Sequence, residues 1–212
     1  VTANRVPIIQ LNGINGVSVD PVSEGSAAVL ISFNVTDADG VATINASKAI
    51  VNLTLGTPDF GQFRFNVSRP DADSEFGTCI NKTMDSVMMI NCTVMMRYYD
   101  NASSNWVINV SVEDTSGAVG RNDTFRLIYN TVSSISLSNK ALNFSIANLG
   151  QQNVRAYTSL LMKNTGNDDF VQVNLSAMAL VGTTTTSENI PVTSFGVNLT
   201  NSSSDLRLQF PL

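Results

Sequence analysis

Apolar and polar residues alternate along most of this chain, and no other feature constrains the fold as strongly. In VLISFNVT, residues 29–36, every second side chain is apolar, and the same period of two recurs in residues 106–114 and 171–177. Successive side chains of a β-strand point to opposite faces, so each segment has one apolar and one polar face. No stretch shows the repeated apolar spacing of three and four residues that is typical of an amphipathic helix. The sequence therefore predicts an all-β fold with almost no helix.

The alternating segments form two groups along the chain. The predicted strands are 6–11, 27–36, 49–55, 62–68, 87–98, 105–113 and 123–129, followed by 133–138, 141–147, 154–163, 170–177, 192–199 and 205–210. Short strands separated by turn-rich stretches are typical of an antiparallel sandwich. We therefore predict two tandem antiparallel β-sandwiches, residues 1–130 and residues 131–212, that abut without a long linker.

The second predicted domain is small for a sandwich. It has only about 80 residues, whereas such domains usually have about 100. Two explanations stay open: the chain is a fragment cut before its last strands, or a strand of a neighbouring copy completes the domain. The N-terminal segment VTANRVPIIQL, residues 1–11, is a candidate donor strand because it is extended, has few charges and contains Pro7.

Asn occupies many of the polar positions in the alternating segments. The chain has 24 Asn residues, of which 13 lie in Asn-x-Ser/Thr sequons, whereas chance alone would give about five. Asn is a poor strand residue, so its repeated use favours N-linked glycosylation; polar alternation without sugar is the alternative. The predicted attachment sites are Asn34, Asn45, Asn52, Asn66, Asn81, Asn91, Asn101, Asn109, Asn122, Asn143, Asn174, Asn198 and Asn201.

The two cysteines, Cys79 and Cys92, predict one disulfide if the chain is exported, with two free thiols as the alternative. The sequence starts without the charged and apolar regions of a signal peptide, and no stretch approaches the roughly 20 apolar residues that span a bilayer. We therefore expect a mature or excised extracellular piece with no membrane span. The net charge of −5 and the lack of a basic stripe argue against nucleic acid as a partner.

Residues for common catalytic chemistry are missing. The chain has no His, which removes the commonest general base and metal ligand, and it has no Gly-rich phosphate loop. We therefore predict a protein that is not an enzyme and has no cofactor, with calcium as the one open question. The candidate calcium ligands are Asp37, Asp39, Asp71, Asp73 and Glu75. The alternatives are a β-turn for the first two and a solvated loop for the others.

Residues 33–56, FNVTDADGVATINASKAIVNLTLG, and residues 92–117, CTVMMRYYDNASSNWVINVSVEDTSG, resemble an immunoglobulin-like (Ig-like) repeat of prokaryotic surface proteins. Residues 159–180 are similar to adhesion-related sandwich domains. The combination is most similar to archaeal cell-surface glycoproteins, such as surface-layer, pilus and other extracellular filament subunits. The resemblance implies two Ig-like domains in a structural glycoprotein whose partners are copies of itself and N-linked glycans. An adhesin or binding module that contacts a host or partner cell is the alternative.

Overall fold

The computed structural model describes residues 3–13, 16–56, 62–67, 77–139, 141–144 and 150–197, with the backbone alone for 62–67. Contacts between residues divide the chain into two compact units, Val1–Asp169 and Phe170–Leu212. The regular structure of the described residues consists of β-strands and two 3₁₀ turns, Val41–Thr43 and Val192–Ser194. The prediction of an all-β fold is therefore confirmed. No helical segment of the described residues has the length and apolar character to cross a membrane.

The first nine strands of the described chain form two sheets, and all of them lie in the first unit. They are β1 Ile8–Leu11, β2 Val17–Val19, β3 Ser26–Thr36, β4 Ile44–Leu55, β5 Gln62–Val67, β6 Gly77–Met84, β7 Val87–Arg97, β8 Ser103–Asp114 and β9 Val119–Tyr129. One sheet has the order β1-β3-β7-β6 and the other β2-β9-β8-β4-β5. This order matches the ABED and CFG sheets of an Ig-like sandwich, with one strand added beside C and one beside G.

The N-terminal segment connects the two sheets. Strand β1 pairs antiparallel with β3, and β2 then pairs parallel with β9 in the other sheet. Between them, the Asn12 N–H donates to the Ser32 carbonyl at 2.9 Å and the Gly16 N–H donates to the Arg126 carbonyl at 2.8 Å. Residues 8–11 are therefore paired inside their own chain, which corrects the hypothesis that the N-terminal segment is a strand donated to a neighbouring copy.

The core lies between the two sheets and is built by the inward side chains of the alternating strands. Buried and outward positions alternate along β3, β7 and β8. Trp106, Tyr129 and Phe33 are among the largest fully buried side chains, and burying each contributes about 1.5–3 kcal/mol. The Trp106 Nε1–H donates to the Asn101 carbonyl and the Tyr129 hydroxyl to the Arg97 carbonyl, both at 3.0 Å. These bonds offset the cost of burying the two polar groups.

The predicted disulfide is present between Cys79 on β6 and Cys92 on β7, which lie directly opposite each other. The two strands form a hairpin that closes at the pair Met84 and Val87. The sequence pattern did not predict β6, because most of its side chains are exposed and the strand lies at the edge of its sheet. Alternation is clear only where one face of a strand is buried.

After β9, the described chain forms only short pairs. In the first unit, β10 Ile135–Leu137 pairs with β11 Met162–Asn164, and Phe144 forms an isolated bridge with Ala156. In the second unit, β12 Leu180–Val181 pairs with β13 Asn189–Ile190.

Four of the strands predicted in this part differ from the structure. In predicted strand 154–163, Ala156 forms only an isolated bridge and β11 begins at Met162. The described residues of predicted strand 141–147 form only the bridge at Phe144. Residues 170–177 form no strand, and Val192–Ser194, in predicted strand 192–199, form a 3₁₀ turn. Predicted strand 205–210 lies outside the described residues. An alternating segment becomes a stable strand only beside others, and the described residues of these segments lack such neighbours. The second sandwich and the boundary at residue 130 stay predictions.

Candidate functional site

The described sequon side chains lie on the outer faces and edges of the protein, and none of them is buried. Asn81, Asn101, Asn143 and Asn174 are exposed. The half-buried ones are Asn34, Asn45, Asn52, Asn91, Asn109 and Asn122. The side chains of Asn66, Asn198 and Asn201 lie outside the described part of the chain. Alternation therefore indicated the outward direction, while attachment of sugar stays a prediction.

Two sequons on the outer face of the five-stranded sheet are connected by a hydrogen bond. Asn52 on β4 and Asn109 on β8 are directly opposite each other in the strand register. The Asn109 Nδ2–H donates to Thr54 Oγ1 at 2.8 Å. Thr54 is the third residue of the sequon that begins at Asn52. The carboxamide of one sequon is thus hydrogen-bonded to the hydroxyl of the other.

The outer face of the four-stranded sheet carries a second pair of sequons. Asn34 on β3 lies opposite Met89, and Asn91 on β7 lies opposite Ser32. The two Asn residues are therefore diagonal neighbours, a relation that places Cα atoms about 7–8 Å apart. Both strands are central in their sheet, so each carboxamide has a strand on either side.

Asn122 joins the two sheets at the corner where β1 approaches β9. Its Nδ2–H donates to the Ile9 carbonyl at 3.0 Å. Its Oδ1 accepts the Thr124 N–H at 3.2 Å and the Thr124 hydroxyl at 2.9 Å. A Cβ on Gly120 would overlap with the Pro7 carbonyl, so a residue without a side chain is required where the two strands come this close.

The DADG segment forms a turn at the opposite end of the sandwich from the chain's exit at Tyr129. Asp37 Oδ1 accepts the Asp39 N–H at 2.8 Å, and the Gly40 N–H donates to the Asp37 carbonyl at 3.1 Å. Gly40 has a φ of 109°, which favours glycine. Asp39 Oδ2 accepts the Arg5 N–H at 2.7 Å. The Asp37 carboxylate is buried, and its Oδ2 has no hydrogen-bond partner among the described residues.

Asp114 organises the neighbouring turn between β8 and β9. Its carboxylate is buried, and it accepts the Asn4 Nδ2–H and the N–H groups of Ser116 and Ala118, each at 2.8 Å. Burial opposes the charged form, but the hydrogen bonds outweigh it and lower the pKa of Asp114 below its usual value. These oxygens are therefore already used by the turn itself.

No described residues form a group of three or more His, Cys, Asp or Glu side chains that could hold a metal ion. Asp37 and Asp39 adopt the turn that the sequence analysis kept as the alternative to a calcium site. Asp71, Asp73 and Glu75 lie outside the described residues. Calcium binding by these five residues stays a prediction.

Residues 163–168, which we name the docking loop, contact the end of the sandwich where β9 finishes. Three hydroxyl groups meet there, from Ser23, Ser134 and Thr165. The Ser23 and Ser134 oxygens are 2.6 Å apart, the Ser23 hydroxyl donates to Thr165 Oγ1 at 3.1 Å, and Thr165 donates to Ser134 at 3.0 Å. Thr165 is 1% exposed, whereas Ser134 is half-buried and Ser23 is exposed, so the cluster extends from the surface to a buried hydroxyl.

Asn167 forms a second group of hydrogen bonds between the docking loop and the rest of the chain. Its Nδ2 donates to the carbonyls of Asp100 and Asn130, both at 3.0 Å, and its Oδ1 accepts the Val132 N–H at 2.7 Å. Gly166 packs so closely on the Val132 carbonyl that a Cβ would overlap with it. One carboxamide therefore links the turn after β7, the end of β9 and the chain that follows.

An exposed ion pair lies at the edge of the docking loop. Lys163 Nζ is 2.8 Å from Glu24 Oε1 and 5.7 Å from the centre of the Tyr98 ring. The hydrogen bond to the Glu24 carboxylate raises the pKa of Lys163 above its usual value. The sequence analysis missed the whole arrangement, since bonds between side chains and distant backbone groups leave no periodic signal.

No family model matches the sequence, and no curated protein matches it. Among solved structures, the chain is similar to one described as the GspB Siglec domain, with a TM-score of 0.38 and 13% sequence identity, over 66% of this chain and 65% of that chain. The matched region thus spans just under two thirds of that domain's length. The correspondence to an Ig-like sandwich rests on the strand order of the two sheets.

Proposed function

We propose that this chain is a structural subunit of the cell surface that assembles with copies of itself into a surface layer or an extracellular filament. In this proposal it carries N-linked glycans and has neither catalytic activity nor a cofactor. The observation that carries the proposal is the set of exposed apolar side chains that follows the sandwich.

Among the described residues from Ile135 to Val197, fourteen large apolar side chains are exposed. Tyr157 is 72% exposed, Met178 is 86% exposed and Val171 is fully exposed. No described residue after Tyr129 belongs to the buried apolar core. Exposed apolar groups on this scale mark surfaces that another molecule covers.

A second copy of the chain is the partner that these segments favour. Their alternation is that of strands with one apolar face, and such strands bury that face when a neighbouring molecule adds strands beside them. A second Ig-like sandwich, at residues 131–212, would then be completed between subunits. Because β1 is paired within its own sheet, the completing strand in this proposal comes from another segment of the neighbour.

Two further observations support a location outside the cell. The Cys79–Cys92 disulfide is of a kind that persists in oxidising compartments. The sequon side chains that the structure describes are all at least partly accessible, as attachment of a bulky sugar requires.

Electron microscopy of native material, together with analytical ultracentrifugation over a range of concentrations, tests the proposal. Lattices or fibres are expected, and Val171→Asp should reduce their formation because a charge in a buried contact is costly. Leu30→Asp, on the outer face of β3 and 58% exposed, is the matched control and should assemble normally. Monodisperse monomers at every concentration would overturn the proposal and favour the adhesin or binding module.

A further inference from the structure

The Nδ2 atom of Asn determines whether a sequon can accept a sugar. Attachment forms a bond between Nδ2 and the anomeric carbon of a sugar, breaks the sugar's bond to its lipid-linked phosphate donor, and releases one proton from the amide. The carboxamide must be reachable by the donor, and a bulky group must have space around it afterwards. The described sequons differ in both respects.

Asn109 has its Nδ2 engaged on a crowded part of the sheet. The bond to Thr54 Oγ1 uses the hydroxyl of a different sequon, and Asn52 lies directly opposite. Side chains in that relation have Cβ atoms about 4.5–5.5 Å apart. Strand β8 is also flanked by β9 on its other side. A sugar on Asn109 would have to displace the Thr54 contact and stand against Asn52.

Asn122 has its Nδ2 engaged between two strands of different sheets. Its bond to the Ile9 carbonyl lies two residues from Gly120, where β9 and the residue before β1 are already in close contact. A sugar on this Nδ2 would have to lie between β9 and β1. The Ile9 carbonyl would then lose its donor from Asn122.

Three exposed sequons lie in more open surroundings than Asn109 and Asn122. Asn81 lies on β6 at the edge of its sheet. Asn143 forms a hydrogen bond through its backbone N–H, and Asn174 accepts one from Gln172 through Oδ1. The side chains of all three are exposed to solvent.

We infer that five of the described sequons divide into two kinds. Asn81, Asn143 and Asn174 are attachment sites for N-linked sugar, whereas Asn109 and Asn122 are structural carboxamides that stay unmodified. The assignment of attachment sites rests on the proposed function, because it requires that the protein carries N-linked sugar. The assignment of structural carboxamides concerns the stability of the sandwich and does not depend on any sugar.

Glycopeptide mass spectrometry of the native protein tests the assignment position by position. Sugar is expected at Asn81, Asn143 and Asn174, and unmodified Asn at positions 109 and 122. Sugar at either of those two positions would overturn the inference. A protein with sugar at none of Asn81, Asn143 and Asn174 but at other sequons would overturn it as well.

Unfolding of the full chain in denaturant tests the structural role separately. Asn122→Asp keeps the shape of the side chain but replaces the donating Nδ2 by an oxygen that faces the Ile9 carbonyl. We expect the equilibrium constant for folding to fall about tenfold or more. The matched control is Asn143→Asp, which should change this constant less than about twofold. Equal effects of the two variants would overturn the role of Asn122.

The same design applies to Asn109. Asn109→Ala removes the bond to Thr54 and should lower the folding constant about fivefold, whereas Asn174→Ala should leave it nearly unchanged. If native material carries no sugar at any position, the glycoprotein part of the proposed function fails. These two pairs of variants then decide the inference alone: a loss confined to positions 109 and 122 supports it, and no difference from the controls overturns it.

Discussion

The sandwich and the chain that follows it have the same kind of sequence but very different surroundings. Residues 3–129 bury an apolar face from each of two sheets, and they contain the disulfide. Residues 131–197 have similar alternation, yet their described part forms only short pairs and exposes many apolar side chains. Alternation therefore defines the two faces of a strand, but a core also requires a second sheet to receive the apolar face.

The junction between these two regions is polar. Thr165 is buried and hydrogen-bonded to Ser23 and Ser134, and Asn167 bonds to three backbone groups. Buried polar groups are tolerated when their hydrogen bonds are satisfied. The docking loop thus attaches the chain after β9 to the sandwich by directional hydrogen bonds.

The largest difference in stability between the two regions should appear when one phenylalanine in each is replaced by alanine. Phe33→Ala removes a fully buried ring from β3 and should lower the free energy of unfolding by about 3–5 kcal/mol. Phe144→Ala removes a ring that is 46% exposed and should cost less than about 1 kcal/mol. Denaturant unfolding of the full chain measures both. A loss for Phe144 as large as that for Phe33 would mean that the second region has a core of its own.

Removing the disulfide should act on the sandwich alone. The bridge closes a loop with a sequence separation of 13, and the double variant Cys79→Ala/Cys92→Ala should lose about 2–4 kcal/mol. Hydrogen exchange should show faster exchange of amides in β6 and β7 and no change in residues 170–197. Equal acceleration in both regions would indicate that they unfold together.

The docking loop should have an intermediate effect. Asn167→Ala leaves the Asp100 and Asn130 carbonyls and the Val132 N–H without this partner and should cost about 1–3 kcal/mol. Gln172→Ala changes an exposed carboxamide and is the control, with an expected cost of less than about 0.5 kcal/mol. Limited proteolysis should cut the Asn167 variant faster between residues 130 and 163. Unchanged cleavage would show that the loop does not hold this part of the chain.

Much of the sandwich could be predicted from the sequence. Strands 27–36, 62–68, 87–98 and 105–113 lie within two residues of the observed ends. The central strands β3, β7 and β8 bury one face and so alternate clearly. Strands β2 and β6 were missed because their side chains are mostly exposed. The disulfide could be predicted from the presence of two cysteines and the assumption that the chain is exported to an oxidising compartment.

The details of the candidate sites could not be predicted in the same way. The bond between Asn109 and Thr54 depends on the register of β4 against β8, and a shift of one residue would remove it. The contact between Asn122 and Ile9 joins residues 113 positions apart. The hydrogen bond between Ser23 and Thr165 joins residues 142 positions apart. Only three-dimensional packing specifies such pairs. The sequence therefore indicates where polar groups face outward, but not what they bond.

The smallest expected effect is the loss of stability that follows protonation of Asp114 in acid. Its pKa is lowered in the folded protein from the ordinary value of 3.8, so its contribution is fully present above that pH and is lost as the pH falls through the lowered value. In Asp114→Asn, this part of the acid dependence should disappear, which urea midpoints between about pH 2 and about pH 6 would reveal. Asp169→Asn, an exposed carboxylate outside the sandwich, should keep the wild-type profile. An unchanged acid profile in the Asp114 variant would mean that the bonds from Asn4, Ser116 and Ala118 do not favour the charged form.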